Sequence, residues 1–423
     1  MSYEAKITKL VNVRPHPNAD RLQLATVSGY QIVVGLENYE GQLGVFFPCD
    51  GQLSQEYAEA NDLIERKDPV TGERAGGYFS SNRRVRSQRL RKEKSDGFWA
   101  TLDTLTFTKA DVASLTEGMV FDTLNGVPIC NKYYTPATLR QMKATGPRRQ
   151  LVMFPKHIET KKFQYEANEW LVPGSIAYLT EKLHGTSQRQ SYSLETTQKK
   201  LRWFHKLTRS SPGETQQWRF VVGTRNVVLR DPTQGFYEDE SFRHRVIESF
   251  LENIHKGEVI FGEVVGYVDS ETPVMGTQDT SKLKDIKAAY GPNMTYSYGC
   301  IPGECKFFVY RIIQVNEDGV ITEKPWSQVK ARCDELGISY VPELAGPLLI
   351  SSDEDVEAVK FLVDQYENGP STLDQGHIRE GVAIRVERSD GVVGFLKSKS
   401  FDFGVLEGYL KNSDEYVDLE EVG

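Results

Sequence analysis

The chain has 423 residues and carries 51 Lys and Arg against 59 Asp and Glu, a formal net charge of −8. That balance excludes a polycation gripping nucleic acid over its whole surface, so any such grip must come from a local patch. No apolar run is long enough to cross a bilayer, MSYEAKITKL lacks a signal peptide's apolar centre, and five scattered cysteines form no zinc or disulfide framework, which together predict a cytoplasmic protein with reduced thiols and no membrane partner.

The length allows two or three domains of ordinary size. Residues 1–125 read as all-β. The β-prone runs AKITKLVNVRPH, RLQLATV, YQIVVGLEN, LGVFFPC and DGFWATL alternate with turns punctuated by Gly29, Gly35, Gly41, Gly51 and Gly97. That spacing predicts a small OB-like barrel, a fold that often binds nucleic acid. HPNADRLQLATV also resembles the opening of tRNA-binding OB domains. Farther on, RRVRSQRLRKEK from Arg83 to Lys94 holds seven basic residues and one acid. Such crowding is costly unless a polyanion answers it, so Arg83, Arg84, Arg86, Arg89 and Arg91 are the expected nucleic-acid contacts on a strand or loop rim. The bland alternative is a solvated face without a partner.

Residues 126–165, with Pro128, Pro136, Pro147 and Pro155, read as a connector. From 166 to 423 strands and helices alternate, which predicts an α+β domain. VIESFLENIHK is the expected helix ahead of the strand EVIFGEVVGYV.

Several stretches of that second domain place polar groups where packing alone would not. Lys182 stands at the exit of the β-prone run SIAYLT, with Gly185 three residues on to let the backbone approach something closely. An ordinary turn is the bland reading of that segment. Period-two alternation puts Phe261, Glu263, Val265 and Tyr267 on one strand face, and Glu380, Val382 and Ile384 on another. A carboxylate among apolar neighbours needs a cationic, hydroxyl or metal-bound partner, unless it reaches solvent from an edge. GFLKSKSFDF aligns Phe395, Lys397, Lys399 and Phe401, and two lysines held together call for an anion such as phosphate. Phe308 and Tyr310 share a face that either stacks a base or packs a core. Arg225 rides a Gly-Thr turn at a strand end.

In order, the chain reads KLHG, GTRN, FGEVVG, FFVYR, REGVAIR and LKSK over residues 182–399. This series resembles the covalent nucleotidyltransferases, the superfamily of polynucleotide ligases and capping enzymes. His184 stands where DNA ligases and capping enzymes have Asp, and EKLHGT resembles the ATP-dependent RNA ligases. Too little chain follows Lys399 for the OB domain that those other groups carry there. LRKEKSDGFWATL ahead of FPKHIET instead resembles RNA ligases with an N-terminal OB domain. The resemblance implies an OB-like barrel followed by an adenylyltransferase domain built on antiparallel sheets with flanking helices.

It also implies roles. Lys182 is the nucleophile that attacks the α-phosphorus of ATP. Glu181, Leu183, His184, Arg225 and Tyr310 join Lys182 at the nucleotide. Lys397 and Lys399 hold its phosphate, and Glu263 and Glu380 touch the ribose or the waters of Mg2+ or Mn2+. The partner is RNA or a nicked RNA-containing duplex, and the protein acts as a monomer. Two departures stand out. Ser187 sits where relatives have Asn or Arg, leaving Ser187 or Arg189 as the nucleotide contact, and Arg311 replaces a frequent Asp. The rival readings are a GTP-dependent capping-type guanylyltransferase and a non-catalytic RNA-binding scaffold.

Overall fold

The computed structural model describes residues 3–49, 51–67, 74–136, 138–140, 151–158, 160–198, 214–229, 241–281 and 283–407. The basic insertion beyond Gln198 and the acidic tail SDEYVDLEEVG lie outside them, as does the side chain of Arg89. The chain divides into two units, Met1–Tyr134 with Gln164–Glu166, and Thr135–Phe163 with Ala167–Gly423.

In the first unit, a four-stranded antiparallel sheet runs in the order Phe98–Thr101, Leu43–Phe47, Ala5–Lys9 and Val120–Phe121. Val11–Pro15, Leu22–Val27 and Tyr30–Gly35 form an antiparallel meander. Alternation along the central strands feeds two cores. Ile7, Val45, Phe47 and Ala100 enter one, while Phe46 and Trp99 enter the other with Leu10, Val27 and Ile32. The basic run becomes the short strand Arg84–Val85 and a tight hairpin, Ser87–Leu90 with Glu93–Asp96.

The second unit is built on two sheets. One has the order Lys161–Lys162, Val393–Lys399, Gly381–Glu387, Ile176–Lys182 and Glu343–Leu349. Helix Asp353–Glu367 backs it, placing Val359 and Val363 against Ala177, Leu179, Val382, Ile384 and Leu396. The other sheet runs Glu214–Gly223, Thr186–Gln198, Glu258–Gly266, Cys305–Val315 and Ile321–Glu323. Helix Trp326–Leu336 covers it with Trp326, Val329 and Cys333. None of the five cysteines is in a disulfide.

Local expectations fail at identifiable places. VIESFLENIHK forms turns and a short 3-10 segment, Leu251–Asn253, in place of a helix. Backbone N–H groups there bond three residues back, as from Phe250 to Ile247 and from Ile254 to Leu251, which buries Ile247, Phe250 and Ile254 by a tighter winding. Phe401 leaves the lysine strand and opens helix Phe401–Leu406, whose N-cap Ser400 accepts from the Phe403 N–H at 3.0 Å. Tyr267 likewise falls beyond its strand, which ends at Gly266.

Candidate active site

Strand pairing assembles the cationic centre. Lys182 lies opposite Gly381, Gly381 opposite Lys399, and Ala383 opposite Lys397, so the three lysines share one face of the five-stranded sheet. The other face is the apolar core of Leu179, Ile384 and Leu396. Glu380 was expected on the core face with Val382 and Ile384, yet its carboxylate lies with the lysines. Oε1 accepts from Lys182 Nζ at 2.9 Å and from Lys399 Nζ at 2.8 Å. The alternation breaks at Gly381, which has φ +153°. A Cβ on Gly381 would sit 2.0 Å from the Ser398 carbonyl oxygen, so only glycine fits between these strands. Glu380 is 1% exposed, and a carboxylate so buried is stabilised by charge-assisted bonds to both ammonium groups.

The residues around Lys182 divide their work. Glu181 is buried on the far side, where Oε2 accepts from the Thr372 N–H at 2.8 Å and from its hydroxyl, and Oε1 has no hydrogen-bond partner among the described residues. Leu183 packs into the main core. The His184 N–H donates to the Tyr298 hydroxyl at 2.6 Å, and its ring lies edge-on between Tyr296 and Phe403, 4.7 and 4.8 Å between centroids. Nδ1 is 3.9 Å from Glu380 Oε2, and Nε2 approaches Glu407 Oε1 to 3.0 Å. Gln278 Nε2 donates to the same Glu407 oxygen at 2.7 Å. Behind them, His377 gives its Nδ1–H to the Ile378 carbonyl at 2.9 Å and accepts the Tyr298 N–H on Nε2 at 3.3 Å, which selects a neutral tautomer. Burial lowers the His377 pKa and raises that of the Tyr298 phenol well above the usual range.

The second sheet contributes a separate polar row. Ser187 pairs with Glu263, and Glu263 with Phe308. The register then slips, Phe261 facing Arg311 while Gly262 faces Val309, so Tyr310 is the extra residue of a bulge. The bulge re-aims Tyr310, whose hydroxyl meets Ser187 Oγ at 3.0 Å. Burial and the neighbouring Glu263 charge push its phenol pKa up, and the positive charge of Arg225 opposes them. The His157 ring lies 5.4 Å from the Tyr310 ring, and the His157 backbone N–H donates to the Arg225 carbonyl at 3.2 Å. Phe308 is a core residue. Gly185 brings the two sheets' polar ends together: a Cβ there would lie 2.4 Å from the Val264 carbonyl oxygen.

Two arginines flagged in the sequence turn out to be structural. Arg189 is 1% exposed and donates to the backbone carbonyls of Thr224 and Phe154, each at 2.9 Å, and of Pro155. Burial lowers its pKa to about 10. It is a strut beneath the surface, which leaves Ser187 as the group beside Tyr310. Arg311 donates from Nε to Glu323 Oε1 at 2.9 Å and lies over Phe261 and Phe395. In the first unit, Arg84 is also buried, stacked 4.8 Å from the Tyr133 ring centroid, because its strand pairs with Gly51–Leu53. That removes it from the expected nucleic-acid face. Arg83 turns its guanidinium to the carbonyls of Leu53 and Ser81. Arg86 is half-buried and Arg91 exposed.

Among the described residues, no cluster of three His, Cys, Asp or Glu side chains could hold a metal, and no helix is long and apolar enough to cross a membrane. A carboxylate beside two lysines fits a different mode, in which Mg2+ or Mn2+ keeps most of its waters and takes its remaining ligands from phosphates.

A family model described as RNA ligase matches residues 176–399, more than half of the chain and the whole stretch that carries Lys182, Glu263, Glu380 and Lys399. This chain belongs to the RNA ligase family. An OB-fold domain model matches residues 4–102 of this RNA ligase. No curated protein matches it. Among solved structures it is similar to the Naegleria gruberi RNA ligase. An apo Asp-to-Ala mutant gives TM-score 0.57 at 18% identity, covering 95% of this chain and 97% of that one. A Lys-to-Ala mutant with ATP and Mn gives 0.56 at 17%, covering 97% and 99%. The ligase with pyrophosphate gives 0.56 at 16%, covering 95% and 97%. The RNA ligase described here therefore shares their fold: an N-terminal OB-fold domain followed by a nucleotidyltransferase domain.

Proposed function

We propose that this RNA ligase uses ATP and Lys182 to activate a 5′-phosphate, then joins it to a neighbouring 3′-OH, sealing nicks whose 3′-OH strand is RNA. The observation that carries the reading is Lys182 and Lys399 converging on one buried carboxylate, Glu380, with Lys397 on the same sheet face. Lys182 Nζ, once deprotonated, attacks the α-phosphorus. A P–N bond forms as the bond to the β-phosphate oxygen breaks, giving lysyl-AMP and pyrophosphate. The 5′-phosphate of the nicked strand then displaces the lysine, and finally the 3′-OH displaces AMP.

Displacement at phosphorus is mostly positioning and charge neutralisation. Lys397 and Lys399 are assigned to the phosphate. Glu380 orients both amines until the nucleotide arrives. Glu263, Ser187, Tyr310 and Arg225 are assigned to the nucleoside side, with Glu181 and His184 shaping the wall behind the nucleophile. Mutants of the Naegleria ligase have solved structures with ATP and Mn and with AMP and Mn, and the same ligand classes are carried to this chain. Mg2+ or Mn2+ would be held through Glu263 and Glu380 and would neutralise charge on the phosphates. The front unit is assigned to gripping RNA, and the protein to working as a monomer.

Incubation with α-labelled ATP tests the first step, and a panel of nicked duplexes with RNA or DNA on each side of the nick tests the substrate. Label should move to protein, and sealing should require an RNA 3′-OH strand. Labelling from GTP in preference to ATP, or sealing indifferent to that sugar, would overturn the respective half of the reading.

A further inference from the structure

The hairpin of the basic run pairs Leu90 directly with Glu93, so Arg91 and Lys92 alone make its turn. Both have positive φ, 49° and 78°. A two-residue turn with both residues there is type I′, whose favoured occupants are Asn-Gly, Asp-Gly and Gly-Gly. Long cationic side chains are strained in this region, and strain of that kind persists where the surrounding structure enforces it. The enforcement is visible. His16, buried, accepts the Asn18 N–H on Nδ1 at 3.0 Å, which leaves Nε2 to donate to the Leu90 carbonyl at 3.1 Å. Asn18 Nδ2 donates to the Arg91 carbonyl at 3.1 Å. Gln31 holds the flank, donating to Glu93 Oε2 at 3.1 Å and the Lys94 carbonyl at 3.0 Å while accepting from Arg14 at 2.9 Å.

While the backbone of the tip is tied down on three sides, its side chains are not. Arg91 and Lys92 are exposed, and among the described residues neither enters an ion pair or a hydrogen bond through its side chain. Lys94, by contrast, is paired with Asp96 at 3.0 Å. Arg83 and Arg84, the other end of the basic run, are occupied by carbonyls and by Tyr133.

We propose that the Arg91–Lys92 turn is the backbone-phosphate contact of the first unit, and that the HPN stretch His16–Asn18 is the brace that holds it rigid. The proposal rests on the RNA-ligase reading, because the polyanion it grips is the ligation substrate. Two adjacent cations suit phosphate oxygens, which recur identically along the strand, so a contact made to them is indifferent to sequence, as a nick-sealing enzyme requires.

The test is the double variant Arg91→Asn with Lys92→Gly, which keeps the type I′ turn, relieves its strain and removes both charges. Its Tm should hold or rise. Its affinity for a fluorescein-labelled nicked RNA duplex should fall roughly tenfold or more near 0.1 M salt, and the log-log salt slope should shrink by about two. The swap Arg91→Lys with Lys92→Arg should restore binding. Wild-type affinity and slope in the double variant would overturn the proposal, since the turn would then be structural only. Should that variant fold poorly, Lys92→Gln alone should still lower the slope by about one, and an unchanged slope overturns the proposal equally. Wild-type protein that neither binds nor seals the duplex at low salt would instead overturn the larger reading, and this one with it.

Discussion

The lysine cluster of the second unit and the hairpin tip of the first hold positive charge in opposite ways. Lys182 and Lys399 are mostly buried and share one carboxylate, while Arg91 and Lys92 stand exposed on a strained turn. A buried charge has to be neutralised in advance, and its partner fixes its position to within a bond length. An exposed charge needs no partner in the free protein and acts through a longer-ranged, salt-sensitive field. The first arrangement suits bond-making at one phosphorus atom; the second suits holding a long polyanion in any register.

Substitutions can break that contrast, and the largest effect is expected at Lys182, the proposed nucleophile. Lys182→Ala should abolish transfer of label from α-labelled ATP to protein with the far-UV spectrum unchanged; transfer at the wild-type rate would show that the cluster is not the reaction centre. Glu380→Ala comes next. It leaves two ammonium groups facing each other, and sealing should slow by about 3 kcal/mol or more in transition-state stabilisation. Lys399→Ala and Lys397→Ala should each cost about 3 kcal/mol, measured in single-turnover sealing, and their double variant should fall short of the sum because they act as one unit.

Arg189→Met sharpens the comparison from the other side, because Arg189 is a buried cation answered, among the described residues, by backbone carbonyls and the Phe154 ring and by no carboxylate. Its loss strands those acceptors and should lower unfolding free energy by about 2 kcal/mol in urea titration, where a nucleotide contact would have raised the KM for ATP instead. The smallest effect concerns His377, buried in its neutral form. Burial depresses its folded pKa below the unfolded value of about 6.5, so the unfolded chain takes up the proton first. The stability from keeping it neutral is whole above that value and is lost as pH falls through it toward the folded pKa. His377→Gln should flatten the acid limb of a Tm-against-pH curve; an unaltered limb would assign the acid sensitivity elsewhere.

How much of this could be read in the sequence depends on whether a residue's role follows from its own strand. Lys397 and Lys399 were legible because alternation alone puts them on one face, and Lys182 because a strand exit followed by Gly185 needs a reason. The bulge that re-aims Tyr310 was not legible, since it exists only in the register between two strands distant in sequence. Glu380 changed faces for the same reason: Gly381 is forced by the Ser398 carbonyl, which no local pattern reveals. His377, Tyr298 and Glu407 reach the site from turns and a helix end, where periodicity carries no signal. The burial of Arg84 and Arg189 was not legible, because charge on a one-dimensional string says nothing about which carbonyls or rings will close over it. The turn at Arg91–Lys92 had no local signal either, because type I′ turns favour Asn-Gly and this one holds two long cations.

Phe395 has a mechanical consequence. Its ring lies between Arg311, 5.5 Å to Cζ, and Arg385, 5.0 Å to Cζ, each guanidinium anchored by its own glutamate, Glu323 and Glu387. Arg311 belongs to the second sheet, while Phe395 sits on the strand that carries Lys397 and Lys399. The ring therefore keys one sheet to the other within four residues of Lys397 and Lys399. Drawing the sheets apart would break the Arg311–Phe395 contact, so their spacing is tied through this ring to the strand that carries Lys397 and Lys399.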